Sequence, residues 1–121
     1  AYAFDSLGKL KDLVGPSKAK EILMTAKRYN AEEAFQMGLV NKVVPVDRLE
    51  AEVRELCATI IDNAPISVMA NKAIINQTLL DPDKRDPTLV KKWTDRCFDS
   101  QDYVEGRTAF MEKRKPVWKG R

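Results

Sequence analysis

The side chains best suited to binding a ligand lie at the end of the chain. From Lys113 to Arg121 the sequence is Lys-Arg-Lys-Pro-Val-Trp-Lys-Gly-Arg, with no acidic residue. A cluster of cations of this kind can bind phosphate groups, but it is also typical of a solvated basic tail. The residues alone leave both interpretations open. The formal net charge of the chain is only +3, so a broad positive face for nucleic acid is not predicted.

The other candidate side chains form no catalytic or metal-binding pattern. The sequence contains no histidine, which excludes a histidine base, a Ser-His or Cys-His pair and an imidazole metal ligand within it. Cys57 and Cys97 are too far apart for a Cys-x-x-Cys site. Both lie in segments of apolar periodicity, so we expect small buried side chains. The carboxylates that fall in predicted first helical turns are expected to be caps or solvated charges: Glu33, Asp47, Glu50 and Asp102.

The composition is typical of one soluble globular domain with one core. The chain has 121 residues, of which 44% are hydrophobic and 32% charged, within the usual range for such a domain. No apolar run approaches the roughly 18 residues of a membrane span, and the first residues have no signal-peptide pattern. We therefore expect a cytoplasmic protein that binds neither membrane nor nucleic acid.

Helix signals follow one another through the first part of the chain. Asp5 or Ser6 is predicted to cap a helix that ends just before Gly15, and Pro16 is predicted to lie in the first turn of the next helix. Asn30 and Glu33 have the spacing of a capping box at the start of a short helix. Residues 39–45 are the strand-like segment, which we expect to be a short extended connector.

The next two predicted helices carry much apolar surface. Asp47, with Glu50 at the capping-box position, is predicted to open a helix with one buried apolar face. This face consists of Leu49, Val53, Leu56, Cys57, Ile60 and Ile61. The helix that starts at Pro65 is apolar over more than half of its circumference. Such a helix must pack on two sides, inside this domain or against another chain.

The last predicted helix is capped by Asp99 or Ser100 and runs to about Lys115, before Pro116. The cations at 113–115 would then lie in its final turn, where the helix dipole favours positive charge. The sequence thus predicts an all-α chain with a basic end, and by itself it predicts no reaction.

Several short strings occur in an order that is specific. They are Leu13-Val14-Gly15-Pro16, Ala19-Lys20-Glu21-Ile22-Leu23 with Thr25, Ala31-Glu32-Glu33-Ala34, Met37-Gly38-Leu39-Val40-Asn41-Lys42-Val43-Val44-Pro45, the helix from Leu49 to Ile61, Ala64-Pro65, Lys72-Ala73, and a terminal set of Phe98, Ser100, Asp102, Glu105-Gly106, Ala109-Phe110 and Glu112-Lys113-Arg114-Lys115-Pro116. Together they resemble the region after the catalytic centre in the crotonase family, which includes enoyl-CoA hydratases and isomerases. The resemblance covers essentially the whole chain. One departure is Thr25-Ala26, where the family usually has glycine after the threonine, and it concerns the geometry of that turn.

The resemblance implies that the chain is the C-terminal helical part of the crotonase α/β spiral fold. Residues 1–44 would form the helices that follow the crotonase core, together with a short extended connector. Residues 45–121 would form the C-terminal helical trimerisation region, so the implied partner is a second copy, in a homotrimer or a dimer of trimers. The family's oxyanion amides and catalytic carboxylates would precede residue 1. We therefore expect the chain alone to be inactive, with no catalytic residue.

The function implied by the resemblance is that of an acyl-CoA enzyme. An enoyl-CoA hydratase of fatty-acid β-oxidation is the first candidate. The alternative is a non-catalytic oligomerisation and ligand-edge module of an isomerase, decarboxylase or hydrolase of the same family. No separate cofactor is implied, because the CoA moiety belongs to the substrate. Lys113 matches the family lysine that meets a CoA phosphate. Phe110 matches the aromatic residue at the nucleotide end, although it is equally suited to a core.

Overall fold

The computed structural model describes residues 3–121, and within this range the regular structure is helical with no β-strand. The chain divides into two compact units, one that ends at Leu49 and one that spans Glu50–Arg121. The composition and length of the chain predict a single core instead. The α-helices are α1 (Phe4–Thr25), α2 (Ala31–Gln36), α3 (Leu49–Ile61), α4 (Pro65–Thr78), α5 (Pro87–Phe98) and α6 (Gln101–Glu112). The all-α prediction is therefore confirmed. The trimerisation role given to residues 45–121 stays a prediction.

Helix α1 is interrupted at the glycine that the sequence marks as a helix end. Gly15 has φ 78° and ψ 162°, outside the helical region, and the helix resumes directly after it. The predicted cap is wrong, because α1 already begins at Phe4 and places Asp5 and Ser6 inside it. Ala3 occupies the capping position, and alanine has no side-chain acceptor with which to cap the helix.

The turn between α1 and α2 follows the predicted local signals. Ala26 ends α1 in the left-handed conformation, at φ 50° and ψ 24°. The Asn30 side chain accepts a hydrogen bond from the Glu33 N–H at 2.9 Å, and the Glu33 carboxylate accepts from the Asn30 N–H at 2.9 Å. The capping box is thus confirmed. Residues 39–45 form no regular element, as expected of a connector.

The second unit has a small core. Helix α4 packs against α5, and α5 packs against α6. Pro65 begins α4, as predicted, and Ser100 caps α6 by accepting from the Tyr103 N–H at 3.0 Å. The buried residues of this unit are Ile66, Ala70, Ser100, Asp102 and Ala109. No helix among the described residues is long and apolar enough to cross a membrane.

Much of the predicted apolar surface of this unit remains exposed. Helix α3 follows a 3₁₀ turn at Val46–Arg48 and starts at Leu49, so it does not open at Asp47. Its predicted face is not buried within the described chain; the exposed members are Leu49, Val53, Leu56, Ile60 and Ile61. Helix α4 buries Ile66 and Ala70 but leaves Ile75 and Leu79 exposed. The periodicity identifies the apolar faces, but it does not specify which surface covers them.

Candidate functional site

The C-terminal end of α6 holds Lys113 in an uncommon backbone conformation. Lys113 has φ 54° and ψ 39°, in the left-handed region that favours glycine. Its N–H donates to the carbonyl of Phe110 at 3.3 Å, and the Arg114 N–H donates to the carbonyl of Ala109 at 3.0 Å. These two bonds form a Schellman motif. The chain turns out of the helix here, so the prediction that residues 113–115 form its final turn is wrong.

The residue after Lys113 is fixed by two carboxylates. The Arg114 guanidinium donates to both Glu105 oxygens, at 2.6 and 3.0 Å, and to Glu112 at 2.6 Å. The Val117 N–H also donates to Glu105, at 2.8 Å. Arg114 first, and the Val117 N–H second, lower the pKa of Glu105 to about 2. The same contacts with Glu105 and Glu112 raise the pKa of Arg114. Arg114 is therefore committed to the protein.

The third cation of the cluster is also paired, which leaves Lys113 available. The Lys115 ammonium group donates to the two oxygens of Asp62 at 2.9 and 3.0 Å. Within residues 3–121, the Lys113 side chain is exposed and takes part in no ion pair. Of the three consecutive cations, Lys113 is therefore the one free to meet an external anion.

The basic tail after Lys113 is folded against α6. Asp102 is only 2% exposed, and its two oxygens accept from the Lys119 N–H at 2.7 Å and the Gly120 N–H at 2.8 Å. The Gln101 N–H donates to the carbonyl of Arg121 at 2.7 Å. The backbone of the tail thus returns to the first turn of α6. A fully solvated tail, one of the two interpretations of the sequence, is not what forms.

Trp118 lies against the same helix. Its indole N–H donates to the carbonyl of Asp62 at 2.8 Å. A Cβ atom added at Gly106 would come within 3.2 Å of the Trp118 ring, so a larger residue there would displace the ring by a few tenths of an ångström.

Phe110 lies in an open groove beside Trp118. Its side chain is 82% exposed, which excludes the core interpretation within this chain. Two other residues of this groove contact each other: the Arg107 guanidinium lies 5.7 Å from the centre of the Tyr103 ring, close enough for a cation–π contact. The groove has a volume of about 350 Å³ and is lined by Ala64, Ser67, Asp102, Tyr103, Gly106, Arg107, Phe110 and Trp118. The structure thus brings the two predicted site residues to one helix end, although their contact with CoA stays a prediction.

The remaining reactive side chains are dispersed. Cys57 is exposed and Cys97 is half-buried, and both are free thiols. The expectation of a buried side chain is therefore wrong for Cys57, which lies in the exposed helix α3. In the part of the chain that the structure describes, no three His, Cys, Asp or Glu side chains are grouped to hold a metal ion.

Sequence reasoning missed the residues that hold the tail. It assigned Asp102 to a helix cap or a solvated face, but Ser100 already caps α6. It gave Glu105 and Gly106 no physical role of their own. The available signal was a pair of acids one helical turn apart, followed by a glycine and later by a tryptophan. Helix periodicity could not show that the tail turns back onto this face.

Comparison with known proteins identifies relatives over almost the whole chain. The family model described as enoyl-CoA hydratase/isomerase matches residues 4–121. A crotonyl-CoA hydratase from Syntrophomonas wolfei subsp. wolfei is 40% identical over 112 residues, which cover 93% of this chain and 43% of that protein. A carnitinyl-CoA dehydratase from Citrobacter koseri is 38% identical over 117 residues, covering 93% and 45%.

Solved structures show the same correspondence. An enoyl-CoA hydratase/carnithine racemase from Magnetospirillum magneticum superposes with a TM-score of 0.87 at 34% identity, covering 100% of this chain and 45% of that one. An enoyl-CoA hydratase from Bacillus anthracis gives 0.82 at 36% identity, covering 95% and 45%. The chain spans less than half the length of these relatives, and it corresponds to the C-terminal helical part of the crotonase fold. The chain belongs to the enoyl-CoA hydratase/isomerase family, the crotonase family.

Proposed function

We propose that this chain forms the CoA-binding edge and the subunit interface of an enoyl-CoA hydratase. The enzyme would add water across the α,β double bond of a 2-enoyl-CoA in fatty-acid β-oxidation. The family supports action on an acyl-CoA. The names of the two relatives support this reaction, because a crotonyl-CoA hydratase and a carnitinyl-CoA dehydratase add or remove water.

The proposal depends on two properties of Lys113: its left-handed backbone and its ammonium group, which is unpaired among the described residues. A left-handed backbone costs an L-residue about 1–2 kcal/mol, a cost that glycine avoids. A lysine in this position therefore lowers stability, while its ammonium group forms no ion pair within residues 3–121. Backbone strain of this kind is concentrated at functional sites. A free ammonium group held at a helix end is suited to a phosphate of CoA.

The surroundings of Phe110 support the same assignment. Its exposed ring and Trp118 line one groove, and aromatic rings bind nucleobases by stacking. Lys113 and Phe110 are joined through the Schellman motif, so a phosphate and a base could be met at one helix end. We propose no cofactor besides the CoA moiety of the substrate itself.

In the proposed reaction, this chain contributes binding and not bond making. Two backbone amides of the catalytic part would polarise the thioester carbonyl and stabilise an enolate-like transition state, and carboxylates would transfer the protons. We assign none of these groups to this chain. The nucleotide that Lys113 would hold lies far from the reacting double bond, so its contribution is to the binding of the substrate.

The exposed apolar faces support the proposed interface role. Leu56 and Ile61 on α3 are 61% and 74% exposed, and Leu79 at the end of α4 is 70% exposed. Apolar patches of this kind usually mark contact surfaces. We propose that they pack in a homotrimer or a dimer of trimers. An isomerase, decarboxylase or hydrolase would use the same surfaces, and hydration of crotonyl-CoA separates the hydratase from these alternatives.

The experiment replaces Lys113 in an enzyme that carries this chain together with the catalytic part. Loss of one charge-assisted phosphate contact is worth roughly 1.5–3 kcal/mol, so Lys113→Ala should raise KM for crotonyl-CoA about tenfold to a hundredfold. kcat should change little. The effect should disappear with crotonyl-pantetheine, which lacks the nucleotide phosphates.

A matched control is Lys91→Ala, which removes a lysine from an exposed pair with Asp95 on α5. It should leave both substrates unaffected, because exposed ion pairs contribute little. The proposal fails if Lys113→Ala loses as much on crotonyl-pantetheine as on crotonyl-CoA.

A further inference from the structure

The buried carboxylate of Asp102 serves the tail and not the helix that carries it. Burial of a carboxylate is costly unless hydrogen bonds replace its water. The N–H groups of Lys119 and Gly120 supply those bonds, at 2.7 and 2.8 Å. Helix α6 does not need Asp102 as its cap, because Ser100 accepts the Tyr103 N–H. The bonds therefore fix the tail backbone directly after Trp118.

Trp118 forms part of the groove in which Phe110 is exposed. Its neighbour Lys119 is tied to Asp102, and its own ring rests on Gly106. A second attachment precedes it, because Glu105 accepts the Val117 N–H at 2.8 Å. Two carboxylates that lie one helical turn apart on the same face of α6 thus hold the backbone on either side of Trp118, while its indole N–H is held by the Asp62 carbonyl.

We infer that Asp102 is a positioning residue for the nucleotide groove: it holds Trp118 beside Phe110, so that the groove is formed before an acyl-CoA arrives. The inference rests on the proposed function and extends it from the groove surface to the buried group that shapes it. Asp102 lines the base of the groove, but both of its carboxylate oxygens are bonded to tail amides, so we assign it no polar contact with the ligand. A preformed groove binds more tightly because its ordering is completed on folding.

The test uses Asp102→Asn in the enzyme that carries this chain. Asparagine retains one acceptor oxygen, but its amide nitrogen cannot accept, so one tail N–H loses its partner. The matched control is Asp95→Asn, which removes the same charge from an exposed pair with Lys91. KM and kcat are measured with crotonyl-CoA and with crotonyl-pantetheine. In parallel, the indole N–H signal of Trp118 is followed by NMR, with Trp93 as the internal reference.

Asp102→Asn should raise KM for crotonyl-CoA about threefold to tenfold and leave kcat unchanged. Crotonyl-pantetheine should be handled as by the parent enzyme, and Asp95→Asn should change neither substrate. The indole signal of Trp118 should move and that of Trp93 should not. In a Trp118→Leu background, Asp102→Asn should add little, because the side chain through which it acts is gone.

Equal losses on the two substrates, or additive effects of Asp102→Asn and Trp118→Leu, would overturn the inference. If Asp102→Asn does not fold, Gly120→Ala tests the same point with the carboxylate intact, because Gly120 has φ 71° and alanine is strained there. A moved Trp118 signal with an unchanged KM for crotonyl-CoA would then refute it. An unaffected Lys113→Ala enzyme would instead refute the proposed function, so the two failures are distinguishable.

Discussion

Replacing Lys113 by glycine should make the chain more stable while it weakens the binding of acyl-CoA. The backbone of Lys113 has φ 54°, which costs a lysine about 1–2 kcal/mol. Glycine removes this cost but loses about 0.5–1 kcal/mol through the greater freedom of its unfolded chain. The expected net gain in the free energy of unfolding is about 0–1.5 kcal/mol, with a central value of about 0.75 kcal/mol.

The assay is urea denaturation at pH 7, followed by far-UV circular dichroism. Lys113→Gly should shift the midpoint to higher urea with an unchanged slope, as expected when only stability changes. The control is Lys113→Ala, because alanine has the same steric conflict in the left-handed region and should gain nothing. Ala26→Gly is an independent positive control, since Ala26 has φ 50° at the end of α1.

The two readouts separate strain from function. Lys113→Gly and Lys113→Ala both lack the ammonium group, so both should raise KM for crotonyl-CoA, although only the first stabilises the chain. Such opposite changes are expected where a strained residue is retained for its function. If Lys113→Gly is no more stable than Lys113→Ala, the left-handed conformation carries no cost and is no indication of function.

Three further predictions concern stability in acid, catalytic activity and self-association. Glu105 has a folded pKa of about 2 against an ordinary 4.5, so its contribution to stability is complete above pH 4.5 and is lost as the pH falls towards 2. Acid titration followed by Trp118 fluorescence in a Trp93→Phe background should report this loss, and Glu105→Gln should remove it. The 121-residue chain should not hydrate crotonyl-CoA above a buffer blank, and turnover would place the catalytic groups within it. Sedimentation should show self-association through the exposed faces of α3 and α4; a monomer at high concentration would contradict this.

Local signals in the sequence predicted the helices well and their ends less well. The capping box at Asn30 and Glu33 and the proline start of α4 depend on neighbours within one turn, and both are present. The end of α6 could not be predicted in the same way, because a left-handed lysine is uncommon and the sequence has no glycine at that position. The predicted helix therefore extends to about Lys115, past the observed end of α6 at Glu112.

The burial of apolar faces was also beyond the reach of periodicity. The spacing of Leu49, Val53 and Leu56 indicates a face that prefers to be covered, but the cover is not determined by the helix itself. Within the described residues this face stays exposed. The role of Asp102 was hidden for a related reason, since its partners are backbone amides of a distant segment and leave no residue-type pattern.

The chain pairs its buried polar groups and two of its tail cations internally, but it leaves the apolar faces of α3 and α4 exposed. Every buried polar side-chain atom among the described residues has a hydrogen-bond partner, and the tail's cations Arg114 and Lys115 are paired internally. The apolar faces of α3 and α4, in contrast, are left exposed. A partner subunit of the proposed kind would therefore cover apolar area and would not be required to neutralise Arg114 or Lys115. Lys113 is the exception among the three consecutive cations, and a charge held free in a strained backbone is explained by an anionic ligand better than by a second protein surface.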